Sequence, residues 1–348
     1  MTLTSSPDTV MDQLTADLAG TLGVLLTSLG TRTGLWAALD GAGPLTPDEL
    51  ADRVTVAPAL VREWLRAQAA AGYLRHDDGR FALPDAVALE VVHGPGGAMV
   101  EACTRMLVSM AAGFDEFAEA FGSGRGYGWD RRTSDFWHGS DLLTRTVLPA
   151  ELIGAALDQL GVAADAAVLD VGCGYGSPTV AMAQHLGTGR VLGIDFHGRS
   201  IEAARLAAKL AGVADRVRFE VAAATDVPGS GYQLVTFFDS LHDLGDPVGA
   251  LIAAREALAP DGRVLLVEPL AADAVDDNLH PGGRMFYSVS TLVCTPNAVS
   301  QQVPGGVAPL GTLAGEARLR EIAAAAGFAR VRRLDVEGPV NLLLELQA

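Results

Sequence analysis

The stretch VLDVGCGYGSPTV, from Val168 to Val180, constrains the chain more than any other. Apolar residues around one acid, Asp170, lead without interruption into Gly172, Gly174 and Gly176, and a helix-forming segment follows. This pattern reads as a buried strand that turns over glycines into a helix. Glycine at such a corner lets the backbone take positive φ and lets a ligand approach without meeting a Cβ, while the helix start offers unpaired N–H groups. An acid inside a buried strand is costly unless it serves a ligand or a hydrogen-bond network.

The segments after the corner alternate in type. Strands are expected at 167–172, 190–195, 217–222, 233–238 and 262–268, with helices between most of them, notably 198–211 and 247–259. Alternation with short connections predicts a parallel sheet covered on both faces. A helix near 316–326 and two strands, FARVRRLDV and VNLLLELQ, close the sequence, and their link at Glu337-Gly338-Pro339 leaves room only for an antiparallel hairpin. Open α/β sheets bind ligands at the carboxyl ends of their strands, where strand order reverses. The glycines are spaced G-x-G-x-G, unlike the G-x-G-x-x-G of dinucleotide sites, and Asp195 ends the next strand about twenty residues on, where a ribose-binding acid is expected.

Upstream, leucines recur at helical spacing from about Val10 to Ala38, Thr46 before Pro47, Asp48 and Glu49 makes a helix N-cap, and a second helix is expected over 57–71. GYLRHDDGRFAL then reads as two short strands around an Asp78-Gly79 turn. Helix, helix and small hairpin is a winged-helix pattern. Its usual association is DNA, but Arg62 and Arg66 flank Glu63 and acids outnumber bases between Thr31 and Val92, whereas base readers carry a positive field. The leucine-rich face instead suggests dimerisation.

Three regions are therefore expected: 1–95, a helical winged-helix dimerisation domain; 96–159, a helical linker or lid; and 160–348, the catalytic domain. Within the second, Trp129, Trp137 and His138 stand among Arg125, Arg131 and Arg132, as a loop packed on the junction or a lid over an aromatic or anionic substrate. The chain of 348 residues carries a formal charge of −17, which argues against nucleic acid as the main partner. No secretory start and no uninterrupted apolar run of roughly 18 residues are present, so a cytoplasmic protein with no membrane association is expected. Cys103, Cys173 and Cys294 are odd in number and widely spaced, which fits reduced thiols better than a disulfide framework or a zinc site, and no metal is expected.

VLDVGCGYG, followed by GIDF, FFDSLHDLGDP and GRVLLVEP, resembles the class I S-adenosylmethionine-dependent methyltransferases from about Leu160 onward. With the winged-helix segment, the whole chain is similar to small-molecule O-methyltransferases, and especially to a bacterial branch carrying DSLHDLGDP and FYSVSTLVCTPNAVSQ. The resemblance implies an α/β fold: a seven-stranded Rossmann-like methyltransferase sheet with the last strand antiparallel, plus an N-terminal all-α/winged-helix domain. It implies S-adenosyl-L-methionine as cofactor, held by Asp170, Gly172, Gly174, Gly176, Asp195, Phe196, Phe238 and Asp239. Ala223 stands where an adenine-binding acid is common, which leaves Thr225, Asp226 or backbone for that contact. His242 matches the family's general base, with Asp243 or Glu268 to orient it. Methyl transfer needs the acceptor aligned and deprotonated, and a neutral imidazole can take that proton near pH 7.

The insertion from Ala271 to Gly311 leaves the fifth strand at the cofactor edge and is expected to form the acceptor pocket, with His280, Met285, Phe286 and Tyr287 as candidates. The acceptor expected is a phenolic or natural-product hydroxyl on a small molecule, and the protein is expected to be a homodimer. A thiol or amine acceptor, methylated mainly by proximity, needs the same corner. A winged-helix regulator that senses the cofactor is the alternative of a different class, and an NAD-dependent oxidoreductase fails on the glycine spacing.

Overall fold

Gly34 ends the first helical run. The periodicity predicts one helix to Ala38, but Gly34 takes φ 75° and splits the run into α1, Pro7–Arg32, and α2, Leu35–Leu39. The left-handed conformation, which glycine adopts without a Cβ penalty, is what stops α1. This computed structural model describes residues 7–336, 338 and 340–348; the N-terminal stretch read for a secretory start begins outside the described residues, and so do Glu337 and Pro339 in the last link. The chain divides into two compact units, one reaching Val108 and including His138–Thr146, the other made of Ser109–Trp137 and Val147–Ala348.

In the first unit, α3 is Pro47–Ala51 and α4 is Pro58–Ala70. Thr46 caps α3 as expected: its hydroxyl accepts the Glu49 N–H, and the Glu49 carboxylate accepts the Thr46 N–H in return. A short antiparallel ribbon follows, β1 (Arg75–Asp77) and β2 (Arg80–Ala82), turned by Asp78 and Gly79 at positive φ. Trp36 and Trp64 meet edge to face at 4.7 Å, and each indole N–H donates to an α1 carbonyl, Thr27 and Leu26 respectively. They lie so close to Gly30 that a Cβ there would sit 2.5 Å from the Trp64 ring. One side of α1 is uncovered, with Val10, Leu14, Leu18 and Leu22 exposed at four-residue spacing. Although Asp12 and Asp17 interrupt it, Thr9–Arg32 has a mean hydropathy of 1.2 and is long and apolar enough to cross a bilayer by length and composition.

The second unit holds seven strands: β3 (Ala167–Val171), β4 (Arg190–Asp195), β5 (Val217–Val221), β6 (Tyr232–Phe238), β7 (Leu258–Pro269), β8 (Arg330–Arg333) and β9 (Asn341–Gln347). Their order is β5-β4-β3-β6-β7-β9-β8. The first five run parallel, and β9 lies antiparallel between β7 and β8. Both faces are covered. Along β6, Leu234 and Phe238 enter one core cluster while Val235 and Phe237 enter the other, which is why these strands read as continuous apolar runs rather than alternating ones. Each such side chain, removed from water, contributes roughly 1.5–3 kcal/mol. The chain moves outward from β3 through β4 to β5 and then crosses back to β6, so strand order reverses at β3. A crevice at the carboxyl ends of β3 and β6 is the consequence.

The region expected as an interrupting loop, 122–140, is partly helical: a helix over Phe114–Ser123, a single 3-10 turn at Trp129–Arg131 and a helix over Ser134–Val147. Phe136 and Trp137 fall on that last helix and are buried. Glycines at 122, 124, 126 and 128 suggest a loop, but the apolar spacing from Phe136 onward is helical.

Candidate active site

The corner after β3 is built by three residues at positive φ: Gly172 at 73°, Gly174 at 52° and Gly176 at 81°. Two of them are also pressed by neighbours. A Cβ on Gly172 would lie 2.6 Å from the Ser240 Cβ, and one on Gly176 would lie 2.7 Å from the Phe219 ring and 2.9 Å from Ala204. Gly174 has open space on that side. The Gly172 and Cys173 N–H groups both donate to the Ile194 carbonyl, which ties the corner to β4, and the helix Ser177–Leu186 starts beyond Gly176.

Three carboxylates surround this corner. Asp170 is 1% exposed; its Oδ2 accepts from the Thr179 hydroxyl at 2.5 Å and its Oδ1 from Thr236 at 2.9 Å. Burial raises its pKa to about 6, against the pull of the two hydroxyls, and the Asp195 charge adds to the rise. Asp195 accepts the Gly174 N–H at 2.9 Å on one oxygen and the His197 N–H at 2.8 Å on the other. Its carboxylate is enclosed although the residue as a whole is only half-buried, and burial raises its pKa to about 6 as well. Asp239, just past β6 and beyond the buried Phe238, adopts φ 48°, a conformation uncommon outside glycine and most tolerated by Asn and Asp. Its N–H donates to Val267, while its buried Oδ1 has no hydrogen-bond partner among the described residues. Burial and then the Glu268 charge raise its pKa to about 7.

His242 lies in the 3-10 turn Leu241–Asp243 that follows, 4% exposed. Its Nδ1 is hydrogen-bonded to Glu268 Oε2, and Glu268 Oε1 accepts the Leu241 N–H at 2.9 Å. Glu268, near the end of β7, therefore fixes both the turn and the ring, the orienting part the resemblance gave to Glu268 or Asp243. Asp243 Oδ1 is 3.6 Å from Nε2, beyond hydrogen-bond distance. Burial opposes charge on the imidazole, but Glu268 and Asp243 outweigh it and raise its pKa well above the ordinary value.

The remaining candidates divide. Phe196 is exposed beside Asp195, and Thr225 and Asp226 are exposed after β5. Trp137 is buried, donates its indole N–H to the Trp129 carbonyl and packs 4.4 Å from the His197 ring. The Trp129 N–H donates to Asn297 Oδ1, and Asn297 Nδ2 donates to the Asp243 carbonyl, which links this loop to the His242 turn. His138 is exposed and belongs to the other unit. In the insertion, His280 is exposed and caps the helix Pro281–Val289 by accepting the Gly283 N–H; Met285 is exposed, and Phe286 and Tyr287 are half-buried on the same helix.

Sequence reasoning did not single out Cys294, which lies against His242 and Asp243, nor the depth at which Arg132 is buried. The Arg132 guanidinium stands over the Phe136 and Tyr127 rings at 4.6 and 5.1 Å and donates to the Leu292 carbonyl, while its Nε has no hydrogen-bond partner among the described residues. It borders a cavity of about 230 Å³ lined by Phe114, Phe117, Tyr127 and Leu292. A larger hollow, about 640 Å³, opens between Arg255 and Gln347 at the amino end of β7 and is lined by none of the residues above.

The corner suits a cationic cofactor with a ribose. Asp170, Asp195 and Asp239 are ion-paired to no Lys or Arg among the described residues, and the orphaned Asp239 Oδ1 needs a donor. A methyltransferase-domain family matches residues 163–327, and an Rv2258c-like winged helix-turn-helix domain matches residues 20–90. The 27-O-demethylrifamycin SV methyltransferase of Amycolatopsis mediterranei is 31% identical over 133 residues, 36% of this chain and 48% of that protein. The chain thus spans about half the length of the curated relatives it matches. Among solved structures, an O-methyltransferase family protein from Burkholderia thailandensis superposes with a TM-score of 0.70 at 17% identity, covering 99% of this chain and 98% of that one. An O-methyltransferase from neocarzinostatin biosynthesis, in complex with S-adenosylmethionine and 2-hydroxy-5-methyl naphthoic acid, gives 0.58 at 21% identity, with 94% and 96% covered. Residues 163–327 thus carry a methyltransferase domain and residues 20–90 a winged helix-turn-helix domain, and the strand order and acid-lined glycine corner are those of the class I methyltransferase fold.

Proposed function

We propose that the protein transfers a methyl group to a hydroxyl of a small molecule, a phenol or another natural-product intermediate. One observation carries this: residues suited to holding a cationic cofactor and a residue suited to taking a proton gather at the carboxyl ends of four neighbouring strands, β4, β3, β6 and β7. S-adenosylmethionine supplies a methyl on a positively charged sulfur. Gly172, Gly174 and Gly176 give its methionine part a surface without side chains, Asp170 and Asp239 supply negative charge for its ammonium, and Asp195 accepts from the ribose hydroxyls. Phe196 borders the adenine, with Thr225, Asp226 or backbone for its amino group.

Glu268 holds the imidazole of His242 so that Nε2 faces the acceptor, and Nε2 takes the hydroxyl proton. The aromatic segment with Trp129 and Trp137 and the helix with Met285, Phe286 and Tyr287 enclose the acceptor, and His280 stands at its rim. Incubation with S-adenosylmethionine and a panel of phenols, thiols and amines, read by mass spectrometry for one added methyl, tests the reading. Methylation of thiols or amines alone would overturn the choice of hydroxyl.

A second reading, transfer by alignment alone, is favoured by the charge that Glu268 and Asp243 hold on the His242 ring. His242→Ala separates the two. Loss of about 10² or more in kcat supports a base, because positioned acid–base catalysis is worth that much, and loss of less than about tenfold supports alignment.

The protein pairs through the uncovered side of α1, whose leucines at four-residue spacing suit a second copy of the same helix. DNA binding is disfavoured because three of the winged helix's arginines are already paired with acids: Arg66 with Glu63, Arg80 with Glu49 and Arg62 with Asp48. The protein works in the cytoplasm, in keeping with three free cysteines.

A further inference from the structure

We propose that His242, Asp243 and Cys294 form a binding site for a zinc-class divalent transition ion. Each offers one ligand atom, an imidazole nitrogen, a carboxylate oxygen and a thiol sulfur, and the three lie within 4.8 Å of one another. A mixed nitrogen, oxygen and sulfur set suits zinc or cobalt; magnesium and calcium take oxygen ligands. Three protein ligands leave the fourth position of a tetrahedral ion for water or a ligand atom.

Two further features point to an ion. Metal-binding imidazoles are held from behind by a carboxylate on the other ring nitrogen, and Glu268 holds Nδ1 in this way, leaving Nε2 toward Asp243. Among the described residues, Asp243 Oδ1 is buried with no hydrogen-bond partner, and Asp239 Oδ1 nearby is in the same condition. Orphaned carboxylate oxygens in a low-dielectric site are costly, and a cation relieves that cost. The two segments are already fixed on each other, since Asn297 and Gln301 both donate side-chain N–H groups to the Asp243 carbonyl. Burial keeps the Cys294 thiol protonated without a cation, so binding forms the metal–sulfur bond and releases the thiol proton to water. The ion and any proton on His242 compete for Nε2. A loaded chain therefore has no base there, a consequence that rests on the function proposed above.

The test uses the full chain, stripped with a chelator, kept reduced and titrated with cobalt(II) in the absence of cofactor and acceptor. One equivalent per chain with a thiolate-to-cobalt charge-transfer band is expected. The band should persist in Cys103→Ser and vanish in Cys294→Ser, and affinity should fall roughly 10–100-fold in Glu268→Gln, as for other carboxylates that orient a metal-binding histidine. Should Cys294→Ser not fold by circular dichroism, His242→Gln replaces it, with at least tenfold weaker binding expected. Absence of the band in the wild-type chain, or its survival in Cys294→Ser, overturns the proposal. Because the readout is binding alone, a negative result leaves methyl transfer intact, and a chain that transfers no methyl can still bind the ion.

Discussion

Replacing Asp170 by Asn should stabilise the protein near neutral pH. The carboxylate is fully buried and titrates at about 6 in the folded chain, against 3.8 ordinarily. Between those values the folded state binds more protons than the unfolded one, so this group makes stability fall as pH rises through the window and leaves it level above. At about 1.4 kcal/mol per unit, the ionised group costs about 3 kcal/mol at pH 7.5 and less than about 1 kcal/mol at pH 4. An amide, like the protonated acid, can accept from Thr236 and donate to Thr179 without any charge. The gap between Asp170→Asn and wild type should therefore grow from under about 1 to about 3 kcal/mol from pH 4 to pH 7.5. Urea unfolding of both proteins at the two pH values, followed by tryptophan fluorescence, measures it. Asp195 and Asp239 titrate in the same range but are present in both chains, and their effect largely cancels in the difference. A gap independent of pH, or a variant less stable at pH 7.5, would refute the argument. On the proposed function the stabilised variant should also bind S-adenosylmethionine more weakly, by calorimetry, because the negative charge for the ammonium is gone.

Other changes test other parts of the molecule. Gly176→Ala combines left-handed strain of roughly 1–2 kcal/mol with overpacking of about 1–3 kcal/mol against Phe219 and Ala204, so a melting temperature lowered by several degrees is expected. Thr46→Ala removes one half of the capping box and should cost about 1 kcal/mol in chemical denaturation. Leu18→Asp with Leu22→Asp puts charge on the uncovered side of α1; sedimentation should show monomers where the wild type shows dimers, and a wild-type monomer at micromolar concentration would end the pairing proposal. Wild-type flotation with lipid vesicles would assign that side of the helix to a membrane instead.

Much of the sheet was legible because its signals are local. Five apolar runs, each bounded by turn residues, give five parallel strands within a residue or so of the expected bounds except at the start of β7, and the acid inside β3 stood out because charge is rare in such a run. Gly34 is a weak signal in the sequence: leucine spacing continues across it, and only the backbone angle shows that the helix stops. Trp137 reads as part of a loop because the glycines before it dominate that stretch, although the helix it belongs to begins at Ser134. Cys294 beside His242 could not be read at all. The two are brought together by a π-turn at Ser290–Cys294 and by hydrogen bonds from the following helix, and cysteine spacing along the sequence carries no trace of a thiol placed against an imidazole from the turn after β6.

The position of β9 bears on how the protein is made. The strand latest in the sequence is an interior one, between β7 and β8, and Glu268 is paired across the ladder with Leu342. During synthesis, at roughly 5–20 residues per second, the glycine corner leaves the ribosome long before its sheet can close. Until β9 arrives, the far edge of β7 offers an unpaired row of backbone groups, the template on which nascent chains associate wrongly. The carboxylate that orients His242 thus gains its final setting only after Asn341–Gln347 have been added, and a fusion or truncation that disturbs those residues should impair the His242 turn, held by Glu268 at the carboxyl end of β7, along with the sheet.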